Sequence, residues 1–101
     1  MIRKIRQDHN YRITIEEIAQ EESRTLQFEF QDREDMFKVV EMINKGSELP
    51  KQDATRVAVA LRLLGPVMMQ NRKHPLFADF MPHFKTFMQN LKSTIKTSVK
   101  A

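Results

Sequence analysis

Between Val57 and Met69 the chain carries a single charge, Arg62, in thirteen residues. At helical period Ala54, Val57, Ala58, Leu61, Leu64 and Met68 form one apolar stripe, and Val59, Ala60, Leu63 and Val67 form a second beside it. Only a narrow strip through Gln52, Thr55 and Arg62 suits water. A helix apolar round most of its circumference needs cover on several sides, so a central helix is expected from about Pro50 to Asn71 or Arg72, organising a core. Pro50 suits a first helical position. Pro66 should kink the helix, because its ring removes the amide bond back to Arg62, and Gly65 weakens the same turn. The run is too short to span a bilayer and is interrupted by Arg62 and Pro66.

Ahead of this run the period changes to two. Tyr11, Ile13 and Ile15 alternate with Arg12, Thr14 and Glu16, and Leu26, Phe28 and Phe30 alternate with Gln27, Glu29 and Gln31. These are two amphipathic strands. The segment between them lacks the Asn-Gly or Asp-Gly pair of a tight turn, so an antiparallel hairpin with a longer connection is expected. Two strands alone are marginal in water, which calls for helices over the face bearing Tyr11, Ile13, Ile15, Leu26, Phe28 and Phe30. Asp32 and Asp35 place acids where a helix dipole favours them, Met36, Val39, Val40 and Ile43 follow at helical spacing, and Gly46 suits a helix stop. A last amphipathic stripe runs through Phe77, Phe80, Met81, Phe84, Phe87, Met88, Leu91 and Ile95. Pro75 suits its start. Pro82 either kinks that helix or lies in the first turn of a separate one capped by Asp79.

At 101 residues the length allows one domain. The expected organisation is a flexible basic extension over 1–8, a single α+β domain over 9–92, and a basic end over 93–101 that frays. The chain has no cysteine, which removes disulfides and thiolate metal sites and suits a reducing compartment. Its first residues, Met1 to Gln7, are basic with no apolar stretch behind them, unlike a secretory signal or an anchor, so a cytoplasmic protein is expected. The net charge of +4 divides unevenly, with eleven acids and eight bases over residues 1–48 and two acids and nine bases over residues 49–101. Because the basic residues are spaced singly, this polarity fits an acidic front meeting a basic back, within one chain or between two, better than it fits nucleic acid.

No catalytic constellation stands out. The densest polar cluster is Asn71-Arg72-Lys73-His74, between the central helix and Pro75. With free amides at the next helix start, and with Lys85 nearby in sequence, it is a candidate anion or partner surface. The commoner explanation is that cations complement the negative end of a helix while Asn71 or His74 satisfies loose backbone groups. His9, His74 and His83 have no helical pairing that would put two metal ligands on one face, and His9 with Asp8 is expected to be exposed in a polar tail. The acids Glu16, Glu17, Glu21 and Glu22 are expected to be solvated. Seven methionines, Met68, Met69, Met81 and Met88 among them, fit core filling more often than a recognition groove. Only Gly46 and Gly65 are glycine, so phosphate-binding loops are absent, and neither cofactor nor metal is expected.

The stretches Tyr11 to Glu16, Leu26 to Phe30 and Asn71 to Phe77 resemble a family of short bacterial proteins known only as a domain of unknown function. The resemblance covers about residues 9–92. It implies the same order of two strands followed by helices and carries over no activity, cofactor or catalytic residue. The expectation is therefore an α+β protein, an antiparallel β-hairpin followed by three or four helices, with the hairpin covered on one face by helices. Its function is expected to be non-enzymatic interaction or regulation. A nucleic-acid or anionic-ligand binder using Arg72, Lys73, His74 and Lys85 is the competing class, and a small cofactor-free enzyme ranks third. A homodimer is a further expectation, built by edge pairing of strands or by packing Val59, Leu63 and Val67 against their copies.

Overall fold

The computed structural model describes residues 8–100. Strands β1 (His9–Glu16) and β2 (Thr25–Asp32) are followed by helices α1 (Met36–Gly46), α2 (Lys51–Gln70), α3 (Pro75–Ala78) and α4 (Met81–Lys100). The chain divides between Asp35 and Met36 into two compact units, a hairpin and a helical unit. Most of the expected extension, residues 1–7, lies outside the described residues.

In the hairpin the strands pair antiparallel, with Tyr11 opposite Phe30, Ile13 opposite Phe28 and Ile15 opposite Leu26. The period-two pattern is thereby translated into two faces. On the polar face Arg12 donates to Glu29 Oε2 through Nε at 3.0 Å and Nη2 at 2.8 Å, and Gln27 Nε2 donates to Thr14 Oγ1 at 3.1 Å, each pair directly opposite in the register. On the apolar face Tyr11 and Phe30 lie 5.6 Å apart, centroid to centroid, and Phe28 is 6.3 Å from Phe30. Tyr11, Ile13 and Phe30 are half-buried, whereas Ile15 and Leu26, next to the loop, are 55% and 58% exposed. His9 opens β1 instead of preceding it in a tail, because its ring stacks with Tyr11 on the same face at 6.0 Å; it remains exposed as expected. The connection over residues 17–24 is long, as its composition indicates, with Ala19 in the left-handed region at φ 62°. Asp32 is buried at the end of β2 and accepts from Glu34 N–H at 3.3 Å, so it closes the turn out of the hairpin rather than entering the first turn of α1.

In the helical unit Ile43, Ala54 and Ala58 form the innermost cluster, with Val39, Val40, Leu61, Leu91 and Ile95 packed around it. Helix α1 therefore touches both α2 and α4. Gly46 is the last residue of α1 but does not stop it by a left-handed turn, since no glycine has a positive φ; Glu48, at φ 64°, makes that turn instead. The glycine has another use: a Cβ built on Gly46 would lie 2.9 Å from the Ile95 Cα. Absence of a side chain lets α1 and α4 approach backbone to backbone.

Helix α2 departs from the sequence reading in two ways. Pro50 is its N-cap and not its first helical residue, because ψ of 148° keeps it extended while its carbonyl accepts from Ala54 N–H at 2.9 Å. The helix runs on past Pro66, as expected, and ends at Gln70, close to the expected end. Most consequentially, it is not buried all round. Ala54, Ala58, Gly65 and Met68 are buried in one line, but Leu64 and Val67 are 48% and 47% exposed. Among the strip expected to face water, Thr55 and Arg62 are half-buried, and the solvent side passes instead through Arg56, Ala60, Leu64 and Val67. Small residues allow close helix approach, so burial follows Ala54, Ala58 and Gly65, and bulkier apolar residues fall outside the line.

The last stripe is two helices. Pro75 is the first residue of α3, and Pro82 lies in the first turn of α4. The first α4 bond runs from Phe84 N–H to the Phe80 carbonyl at 2.9 Å, which places Phe80 at the cap position and leaves Asp79 closing α3.

Candidate functional site

Three surfaces are candidates for function, of which the sequence singles out the first. The first is the corner after α2. Asn71 N–H bonds back to the carbonyls of Val67 and Met68, and Asn71 Nδ2 donates to the Val67 carbonyl at 2.8 Å. His74 caps α3: its Nδ1 accepts from Leu76 N–H at 3.1 Å, and its carbonyl accepts from Phe77 and Ala78 N–H, each at 2.9 Å. Pro75 has no amide hydrogen. Every amide of the first turn of α3 is thus occupied or missing, and Asn71 and His74 do the backbone work that a helix end requires. What remains for an anion is side-chain charge. Arg72 and Lys73 are exposed and have no ion pair among the described residues, and they line a shallow depression with Met69, Gln70, Asn71 and His74. Lys85 is exposed on α4 and does not line it.

The second surface is the solvent side of α2. Leu64 and Val67, spaced i and i+3, share a face with Ala60, and Val57 lies one turn earlier beside Asp53 and Arg56. Leucine and valine half out of water are common singly. Here they are adjacent on one helix and continue a run of apolar residues, so they make a strip rather than isolated exceptions. Sequence periodicity placed Leu64 among the core residues and missed this surface. The available signal was the small residues Ala54, Ala58 and Gly65, which mark the packed side. Of the methionines, Met36 and Met68 fill core positions, while Met42 and Met69 are 53% and 49% exposed.

The third is the hairpin loop. Arg24 closes it, donating to Glu17 Oε1 through Nε at 3.2 Å and to Oε2 through Nη2 at 2.9 Å, while Glu17 N–H donates to the Arg24 carbonyl at 2.9 Å. This bidentate contact holds the Glu17 carboxyl below its ordinary range and raises the Arg24 guanidinium correspondingly. Glu17 is therefore paired, unlike the solvated acid expected. Because the folded loop favours the carboxylate, the pair's contribution is present above the ordinary carboxylate pKa and is lost as pH falls through the lowered value. Arg24→Ala should return Glu17 to an ordinary titration. NMR titration of the Glu17 side chain checks this, and an unchanged midpoint would mean that the fork is not formed in solution.

Among the described residues no group of three His, Asp or Glu is placed to hold a metal ion, and no helix is long and apolar enough to cross a membrane.

An antiparallel hairpin followed by four helices defines a small α+β protein. The chain belongs to the family described as a domain of unknown function with solved structure, DUF3861, whose model matches residues 9–93. It is similar to a protein of unknown function from Pectobacterium atrosepticum SCRI1043, whose crystal structure matches with a TM-score of 0.78 at 42% identity, over 86% of this chain and 99% of that one. Comparison with curated proteins finds no match. The resemblance read from the two strands and the Asn71–Phe77 stretch is thus borne out, as is the α+β class.

Proposed function

We propose that this is a non-enzymatic interaction protein that binds a protein partner through the exposed apolar strip of α2. The supporting observation is the pair Leu64 and Val67, each nearly half exposed on a helix whose opposite side is fully buried. Covering such a strip is favourable by roughly 25 cal/mol per Å² of apolar surface removed from water, and a partner helix or strand supplies that cover. The cysteine-free composition fits a reducing cytoplasm, where we place it.

A pull-down from bacterial lysate at low and high salt tests the reading. Apolar docking survives high salt, because it releases no counterions, and the double variant Leu64→Asp/Val67→Asp should abolish capture while leaving the helical circular dichroism unchanged. Loss of all captured material at high salt, together with sensitivity to Arg72→Ala and Lys73→Ala instead, would transfer the function to nucleic-acid or anionic-ligand binding at the corner after α2.

A further inference from the structure

The hairpin carries a second surface, independent of the α2 strip. Glu17 N–H bonds to the Arg24 carbonyl, so residues 17 and 24 form a hydrogen-bonded pair one step beyond the last strand pair, Glu16 with Thr25. Such pairs alternate along an antiparallel ladder. Ile15, Ile13 and Tyr11 therefore turn their backbone groups toward β2, while Asn10, Arg12, Thr14 and Glu16 turn theirs to the free edge of β1. All four of these residues are exposed, and among the described residues the sheet has two strands. An edge of this kind is a template for another strand.

We propose that β1 pairs antiparallel with β1 of a second copy of this chain, with Thr14 opposite its own copy, making a four-stranded sheet across a twofold axis. Charge complementarity selects both the edge and the register. With Thr14 on the axis, Arg12 of each copy faces Glu16 of the other, and the apolar side sets Ile13 against Ile15. Both charged groups have capacity to spare. Arg12 uses Nε and Nη2 on Glu29 and keeps Nη1, and Glu16 has no hydrogen bond or ion pair among the described residues. Exposed Ile15 gains a cross-strand neighbour in the same step. The outward residues of β2 are Thr25, Gln27, Glu29 and Gln31, so self-pairing along that edge sets Glu29 against acid, amide or hydroxyl and against no cation. Symmetric pairing through β1 also closes on itself, whereas β1 against β2 would leave open edges for further addition.

Analytical ultracentrifugation of the full chain tests the pairing. The unsubstituted protein should sediment at twice the 12.0 kDa chain mass. Thr14→Pro removes an outward amide, leaves the backbone β1–β2 bonds in place, gives up only the exposed Gln27–Thr14 side-chain bond, and should give monomer with the strand and helix signal retained. Glu16→Arg and Arg12→Glu each create two like-charge contacts by symmetry and should weaken the dimer roughly tenfold or more. An equimolar mixture of these two variants restores one Arg–Glu contact in native orientation and one reversed, and should form a heterodimer visible by native mass spectrometry. A monomeric unsubstituted chain, a dimer indifferent to Thr14→Pro, or a mixture with no heterodimer would each overturn the proposal; indifference to Thr14→Pro would point to packing of Val59, Leu63 and Val67 instead.

Discussion

Gly46→Ala is expected to destabilise the helical unit, although alanine is the better helix former. Helix propensity favours alanine by about 1 kcal/mol. Against that gain, the new methyl would stand 2.9 Å from the Ile95 Cα and 3.0 Å from both its Cγ1 and Cγ2. A backbone atom cannot rotate away, so α1 and α4 must separate, and overpacking of this kind costs about 1–3 kcal/mol. Gly65→Ala is the control. Its added methyl would meet only Phe84 Cζ at 3.7 Å, an ordinary contact, so the substitution should be neutral or stabilising by about 0.5–1 kcal/mol. Denaturant unfolding of both variants measures the contrast, and equal effects at the two glycines would contradict the close approach of α1 and α4.

Ile43→Ala should cost about 2–5 kcal/mol, because Ile43 is 2% exposed at the centre of the cluster formed with Ala54 and Ala58. Leu64→Ala should change stability by only about 0.5 kcal/mol, as is usual at positions outside the core. Apolar periodicity assigns both residues to the core; only the structure separates them. Urea unfolding midpoints decide the matter, and a Leu64→Ala loss comparable to that of Ile43→Ala would place Leu64 inside the fold.

The hairpin was the most legible part of the chain, because side-chain alternation and cross-strand register are the same physical fact: Arg12 with Glu29 and Thr14 with Gln27 could be placed on one face before their partners were known. Helix positions were legible for a similar reason, through Pro75 at a helix start and the apolar spacing of Met36, Val39, Val40 and Ile43. Hydropathy failed at α2. It measures how much a residue gains by leaving water, whereas the buried line of α2 was set by how closely another helix can approach, and that depends on size. Gly46 shows the same limit, since its role is a tertiary contact with Ile95, forty-nine residues later, to which no local turn rule refers. At the corner after α2 the residues Asn71 and His74 were found by composition, but their use became visible only when Val67, Leu76, Phe77 and Ala78 were seen bonded to them.

Thiol labelling tests most directly whether α2 keeps one side for its own core and offers the other to a partner. The natural chain has no cysteine, so single substitutions report without background. In the purified protein the thiol of Leu64→Cys or Val67→Cys should react with a maleimide at close to the rate of the unfolded chain, while that of Ala58→Cys, at a position 0% exposed, should be strongly protected. On saturation with the partner captured from lysate, the Leu64→Cys and Val67→Cys thiols should become protected in turn. Protection of Leu64→Cys in the isolated chain, or unchanged labelling of both positions in the complex, would contradict the assignment of this strip as the binding surface.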